Sequence, residues 1–460
     1  MDRMTAKEIA AAVNGTIVAG PENATIDRVT TDSREVQPGV LFIGVRGESF
    51  DGSTFAPQAI AAGAAGVIVS FWATKSPGSA FVIVVANTTR ALGLLAKSQR
   101  ERRALRVVGI TGSVGKTTTK EMLASILNGH VKHLTAPKNW NNEFGLPQTL
   151  LLLEPDHEVA VVELAMRGMG EIRLLAKIAQ PQIGVITNIG LSHVERTGSV
   201  QATAVAKAEL LELLPSDGIA ILPLDDPHCA FLRGRAKCAV MTFGRSEGAD
   251  VRATDIVATP TETRFLLHVG SESRSVVATW VGMHLVDCAL AAAAAAHALN
   301  LPIDAMVSGI RDYKPVAMRM RILKAPSGAT VIDDCYNASP ASVAAAVELL
   351  ASFNGKRKIA ILGSMRELGD HARAEHLRIG EMIGRAGVDL LVATGEDGAL
   401  FSEGAAPHMP QDRRPVLDSN EEIIDRILPT FGDGDVVLVK GSRALKMEAI
   451  VAALLGEKSE

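Results

Sequence analysis

Apolar residues in this chain fall into two alternating patterns. Short unbroken runs recur along it: VLFIGV, GVIVS and FVIVV near the start, VVGIT, EVAVVEL, QIGVITNIG and GIAILP in the middle, and ATVIDDCY, KIAILGS, DLLVATG and VVLVKGS towards the end. Such runs suit strands buried on both faces. Several of the stretches between them place apolar residues at helical spacing. Strands alternating with helices imply mostly parallel sheets covered on both sides, an α/β class. The 460 residues give room for about three domains. We expect a small α/β N-terminal domain over 1–86 and a central domain over 87–313 with a doubly wound, mostly parallel sheet of P-loop type. A Rossmann-like α/β C-terminal domain over 314–460 completes the chain. The central domain opens with a helical connector, 87–103, whose end carries Arg100, Arg102 and Arg103. That basic end reads as a solvated face or a complement to the helix dipole.

Residues 107–123, VVGITGSVGKTTTKEML, read as strand, glycine loop and helix. Val107, Val108 and Ile110 suit the strand, and Met122, Leu123, Ile126 and Leu127 give the helix its apolar face. Gly112, Ser113, Val114 and Gly115 form a turn whose N–H groups point at an anion, beside the positive end of the helix. Lys116 would reach the β/γ-phosphates, and the Thr117 hydroxyl would ligate Mg²⁺. Ile110 stands where the common pattern has its first glycine, leaving the tighter form G-x-x-G-K-T. The expected ATP contacts here are Gly112 to Thr118: Gly112, Ser113, Val114, Gly115, Lys116, Thr117 and Thr118.

Composition narrows the field. Hydrophobic residues at 47% permit a sizeable core, while aromatics at 4% argue against base-stacking surfaces. A formal net charge of -4 without a long basic run gives no reason to expect a nucleic-acid partner. Cys229, Cys238, Cys288 and Cys335 form no C-x-x-C pair and read as reduced thiols. No targeting segment or membrane span is visible, and the expected location is the cytoplasm.

In open α/β sheets, ligands sit beyond the carboxyl ends of the strands. Glu163 ends EVAVVE; Thr187 and Asn188 end IGVITN, with His193 shortly after; Lys207 lies on a helix in VAKAELLE. Singly, these residues suit a solvated strand end, a structural histidine and a surface ion pair of Lys207 with Glu209 or Glu212. As a set with Thr117 they offer ligands for Mg²⁺ beside a triphosphate, His193 fitting a second metal position better than the first. The polar knot Asp32, Ser33, Arg34 and the later Asp51 read, taken alone, as turn caps.

These motifs together resemble the Mur ligases of peptidoglycan synthesis. The matching central segments are TGSVGKTTTKEM, NWNNEFGLP (139–147), ELAMRGMGEI (163–172), TNIGLSHVE and AKAELL. DSREVQPGVLFIGVRGESFDG resembles that family's uridine-nucleotide domain. DDCYNASP (333–340), LGSMRELG and KGSRALKME resemble the member that joins D-alanyl-D-alanine to UDP-N-acetylmuramoyl-tripeptide. The likeness runs over nearly the whole chain.

The resemblance implies an ADP-forming amide ligase working through an acyl phosphate, with ATP and Mg²⁺ as cofactors. It implies Lys116, Glu163, His193 and Lys207 as catalytic residues and Thr117, Glu163, His193 and Lys207, the last as a carbamate, as metal ligands. Arg319 would reach phosphate and Asp333 the ribose. Ser33, Arg34, Asn139 and Asn142 would bind the UDP substrate. The implied partners are UDP-N-acetylmuramoyl-tripeptide and D-alanyl-D-alanine, with neither nucleic acid nor a membrane span, and a monomer is expected. Closure of the third domain on the second would complete the site and exclude water. Leu285 and Cys288 in GMHLVDCALAA stand where the family often has two adenine-contacting asparagines, and Ser364 and Ser53 where it often has Asp and His. The alternatives are another ligase of the same fold, amino-acid-adding or folylpolyglutamate synthase-like, and a P-loop NTPase switch. DDCYNASP disfavours the first, and the lack of an N-K-x-D motif disfavours a GTP switch.

Overall fold

A computed structural model describes residues 1–47, 50–73 and 77–457. The last three residues of the segment expected over 314–460 therefore lie outside the described residues. The apolar runs form strands in three larger sheets. A five-stranded sheet orders Thr16–Ala19, Phe81–Val84, Gly66–Val69, Leu41–Ile43 and Val29–Thr30. All its pairs are parallel except that of the Thr16–Ala19 edge. Beside it, Met4–Thr5 and Thr25–Ile26 form a small antiparallel pair.

The central sheet has nine strands. From one edge they are His133–Thr135, Val159–Glu163, Arg106–Thr111, Ile183–Ile186, Ile219–Pro223, Ala239–Gly244 and Val251–Ala258, all parallel. Thr263–Val269 and Glu272–Ala278 continue the sheet antiparallel. This antiparallel extension has no counterpart among the unbroken apolar runs. One face of Thr263–Val269 is buried and the other partly exposed, so its apolar residues alternate with polar ones.

A six-stranded sheet orders Arg321–Lys324, Thr330–Asp333, Asp435–Lys440, Arg357–Gly363, Leu390–Thr394 and Val416–Leu417. Only the first pair is antiparallel. The architecture is α/β, as the alternating runs imply.

Packing explains how the sheets are held. Helix Met283–Ala298 buries every alanine from Ala291 to Ala296 against the phosphate-loop helix Lys116–Leu127 and the strands beneath. Alanine keeps the helix propensity and lets the backbones approach closely. Helix Thr88–Glu101, capped by the Asn87 side chain accepting from the Arg90 N–H at 2.8 Å, sits in one continuous core shared by the five-stranded and nine-stranded sheets. Its basic end is not a solvated face throughout. Arg100 is 5% exposed and donates to the carbonyls of Ala179, Arg103 and Leu105. These are carbonyls at the end of one helix and in the turn after another, which lack helical partners.

Candidate active site

Strand Arg106–Thr111 ends in the middle of the central sheet, and the loop after it is held open by its neighbours. Gly112 has φ +151, and a Cβ there would stand 1.8 Å from Thr187 Oγ1; Gly115 has φ +87, with Cys288 Sγ 2.9 Å from such a Cβ. Only glycine fits both demands. Thr187 donates to the Val114 carbonyl at 2.6 Å, while Asn188 accepts from the Val114 N–H at 2.9 Å and donates back to its carbonyl at 3.0 Å. The strand-end pair Thr187–Asn188 thus braces the loop. Lys116 Nζ rests on the Gly112 carbonyl at 2.8 Å. Burial holds its pKa below the ordinary lysine value, against the pull of Glu163.

The loop opens on a cleft of about 860 Å³ between the central and the six-stranded sheets. Ser113, Val114, Gly115, Lys116, Thr117 and Thr118 line one wall, with Glu163 and His193 near them. Asn139 and Asn142 line it as well. Asn142 Oδ1 also caps helix Gly145–Leu151, accepting from the N–H groups of Phe144 and Gly145 at 3.2 and 2.9 Å. The opposite wall carries Arg319, whose guanidinium stacks 4.0 Å from the Tyr336 ring centroid. Lys440 is buried there, paired with Asp334 and donating to the Asn337 carbonyl at 2.9 Å.

Other expected residues lie elsewhere. Gly112 does not line the cleft itself, but its carbonyl receives Lys116. Asp333 is turned into the protein: 3% exposed, it accepts from the Met318 N–H at 3.0 Å and the Cys335 thiol at 3.1 Å. Burial raises its pKa. Asp334 faces the cleft instead, because successive side chains leaving a strand point to opposite sides. Ser33 and Arg34 belong to the five-stranded lobe and do not line this cleft. There Asp32 caps the turn, accepting from the Arg34 N–H at 2.9 Å, and binds the Arg34 guanidinium at 2.5 Å.

Lys207 does not reach the cleft wall and is not a surface ion pair. It is 1% exposed on helix Val200–Glu212, with no hydrogen bond or ion pair among the described residues. Glu209 instead accepts from the N–H groups of Gly170 and Arg173, and Glu212 pairs with Arg173. Burial, and next the Lys116 charge, put the Lys207 pKa well below the ordinary lysine value.

The donor set beside the loop suits a hard cation. Thr117 Oγ1 lies 3.2 Å from Glu163 Oε2, which Asn141 Nδ2 approaches at 3.3 Å. A hydroxyl and a carboxylate side by side at the phosphate loop fit Mg²⁺, which prefers oxygen and keeps several waters. Among the described residues, no three His, Cys, Asp or Glu side chains gather to hold a metal on their own. His193 Nδ1 meets Glu367 Oε2 at 2.5 Å across the cleft.

Sequence reasoning missed Lys120, Asn141, Asp334, Glu367 and Lys440. All five lie within motifs already singled out, TGSVGKTTTKEM, NWNNEFGLP, DDCYNASP, LGSMRELG and KGSRALKME, but no role was assigned to them there. The burial of the two lysines was not readable, since a lysine on a helix or at a strand end reads as a solvated charge until its neighbours are placed.

A phosphate loop facing a second α/β lobe across one cleft defines a nucleotide-using enzyme built from several α/β units. Family models bear this out along the chain: the Mur ligase family catalytic domain matches residues 25–100, the Mur ligase middle domain 110–296 and the Mur ligase glutamate ligase domain 318–443. The UDP-N-acetylmuramoyl-tripeptide--D-alanyl-D-alanine ligase of Bacillus subtilis is 36% identical over 99% of both chains, and that of Escherichia coli 34% over 99% of both. Among solved structures, MurF from Acinetobacter baumannii superposes with a TM-score of 0.91 at 34% identity, covering 99% of this chain and 100% of that one. MurF ligase from Thermotoga maritima in complex with ADP gives 0.83 at 28% identity, covering 94% and 97%. The chain belongs to the Mur ligase family.

Proposed function

We propose that this protein joins D-alanyl-D-alanine to UDP-N-acetylmuramoyl-tripeptide, converting ATP to ADP and phosphate. The observation that carries the reading is end-to-end likeness to ligases of that name, with Lys116, Thr117 and Glu163 gathered on one wall of the cleft. Residues 1–86 would hold the UDP end through Ser33 and Arg34, 87–313 the ATP, and 314–460 would close over them. The work is done in the cytoplasm by a monomer.

The tripeptide's terminal carboxylate attacks the γ-phosphorus of ATP. A C–O–P linkage forms, the bond to the ADP oxygen breaks, and ADP leaves with that electron pair. The amine of D-alanyl-D-alanine then attacks the acyl carbon; phosphate departs with the C–O electrons, and the amine gives up a proton. Such transfer depends on positioning and charge neutralisation. Lys116 swings from the Gly112 carbonyl onto the phosphates, joined by the loop N–H groups and by Arg319 from the opposite wall. Thr117 and Glu163 would hold Mg²⁺, which neutralises phosphate charge. Asn139 and Asn142 would orient the peptide substrate. Asp334, which faces the cleft, would serve the nucleotide's sugar in place of the buried Asp333, a role that requires it to share or exchange its Lys440 and Met320 partners.

A carbamate on Lys207 is part of the proposal. It would turn a buried cation lacking a partner into an anion able to hold a second Mg²⁺ with His193. In this arrangement His193 is paired with Glu367, so that role requires His193 to exchange partners.

The test is phosphate release from ATP with UDP-N-acetylmuramoyl-tripeptide, with and without D-alanyl-D-alanine, alongside the mass of the product. A product longer by the dipeptide supports the reading. Absence of ADP and of lengthened product with both substrates and Mg²⁺ overturns it, and ATP turnover indifferent to either peptide substrate points to a switch-type NTPase.

A further inference from the structure

Lys120 is a charged side chain with no exposed surface, one turn beyond Lys116 on the phosphate-loop helix. Its ammonium donates to the Ala136 carbonyl at 2.6 Å and the Lys138 carbonyl at 3.1 Å. It also lies 2.8 Å from Glu121 Oε1 and 3.5 Å from Glu163 Oε1. The buried ammonium is thus held by two carbonyl hydrogen bonds and flanked by two carboxylates.

Both carbonyls belong to the segment that leaves strand His133–Thr135 and delivers Asn139, Asn141 and Asn142 to the cleft. That segment includes a constrained residue, since Lys138 has φ +49, in the left-handed region that a side chain rarely adopts. Its other ties lead to the same place. The Ala136 N–H donates to the Val161 carbonyl at 3.0 Å, the Ala165 N–H to the Asn141 carbonyl at 2.9 Å, and Asn141 Nδ2 to Glu163 at 3.3 Å. Lys120 is thus the side chain that ties this segment to the phosphate-loop helix while facing the Glu163 oxygen opposite Thr117.

We infer that Lys120 is a positioning residue. It fixes the 136–142 segment and the Glu163 carboxylate to the helix that carries Lys116 and Thr117. Substrate-facing asparagines, metal-facing carboxylate and phosphate loop then keep one geometry. The inference rests on the proposed ligase reaction for its kinetic consequence, but its structural part stands without that reaction.

The experiment compares Lys120→Met and Lys120→Arg with the unaltered chain by hydrogen exchange, ADP binding and steady-state kinetics. Methionine fills the space but leaves both carbonyls without a donor. Amides of 136–142 should then exchange at least about tenfold faster while those of the phosphate-loop helix hold, since local opening follows the loss of local bonds. ADP affinity should stay within about twofold, because the loop N–H groups and Lys116 remain. The KM for the UDP-tripeptide should rise and kcat fall by on the order of a hundredfold, as expected for ångström-scale misplacement. Arginine, retaining charge and donors, should restore slow exchange and part of kcat. Lys120→Gln, which keeps two donors on a shorter, uncharged side chain, should show the same changes in smaller measure and serves if the methionine variant does not fold. Unchanged exchange in 136–142, or ADP affinity and helix protection lost together with it, overturns the inference. If the unaltered enzyme makes no amide product, the proposed reaction fails, while exchange and ADP binding still decide the role of Lys120.

Discussion

His193 Nδ1 lies 2.5 Å from Glu367 Oε2, and the contact joins a loop of the nine-stranded sheet to a loop of the six-stranded one. A second tie runs beside it, from the Glu195 N–H to the Glu367 carbonyl at 3.2 Å. Among the described residues, the His193–Glu367 contact and this backbone bond close the cleft at this point. Hydrogen bonding to His193 holds the Glu367 carboxyl below its usual range. A depressed carboxyl pKa contributes stability that is present above the ordinary value and lost as pH falls through the lower folded one. Glu367→Gln should therefore loosen the lobes without unfolding them. With Glu367 46% exposed, water screens the pair and the weakening is at most about 1 kcal/mol. Small-angle scattering of the unliganded variant should give a larger radius of gyration than the parent, and the difference should shrink in acid.

Lys207 gives a prediction with opposite signs for stability and activity. As a bare ammonium it is buried without a partner, its pKa held well below the ordinary value by burial and by Lys116. A lysine with a lowered folded pKa destabilises the fold fully below that pKa. The cost fades as pH rises towards the unfolded value. The same shift enlarges the neutral fraction of the amine, the form that takes up CO₂. Lys207→Met should thus match or exceed the Tm of enzyme prepared free of CO₂, by up to a few kcal/mol of stability, yet make no product. Bicarbonate should activate CO₂-depleted parent enzyme and leave the variant inactive; intact-mass spectra and rates read both effects.

Cys288 sits against the phosphate loop with Sγ 3.8 Å from the Gly115 carbonyl. Burial pushes its thiol up to about 12. The thiolate is the reactive form, so at neutral pH Cys288 should resist iodoacetamide in the folded protein and become labelled on unfolding. Peptide mapping after brief labelling, native against denatured, checks this.

What could be read in the sequence follows from how local each feature is. The phosphate loop is legible because strand, glycines, Lys116 and Thr117 are neighbours, and the buried parallel strands because their apolar runs are unbroken. The hairpin strands 251–278 escape because one face meets water, which mixes polar residues into them. Asp333 and Asp334 are adjacent and chemically identical, so the sequence cannot say which one the strand turns towards the cleft. His193 and Glu367 meet only through tertiary structure, and neither carries a local sign of the other. Arg100, Lys120 and Lys207 look like surface charges until the surrounding backbone is placed. Their burial depends on carbonyls and neighbours far along the chain.

Asp287 supplies a pH dependence for nucleotide binding. It lines the cleft near the phosphate loop, with Oδ1 3.2 Å from Arg245 Nε. Burial raises its pKa to about 6; Arg245 opposes the rise and Asp225 adds to it. The side chain keeps 40% exposure, but that surface faces into the cleft, so the rise should be fuller with nucleotide bound than in the open cleft. A raised carboxyl pKa contributes stability that is complete below the ordinary value and lost as pH rises through about 6. The ionised form also repels a polyphosphate, so ADP should bind more tightly as pH falls through that value, by on the order of 1 kcal/mol or severalfold in Kd. Burial holds His284 down to about 4, so it stays neutral across this range. Asp287→Asn removes the titrating carboxyl and should flatten this part of the curve, with ADP affinity near the parent's acidic value throughout. Calorimetric titration of ADP from about pH 5 to about pH 8 measures both curves, and an inflection that survives in Asp287→Asn assigns it to another group.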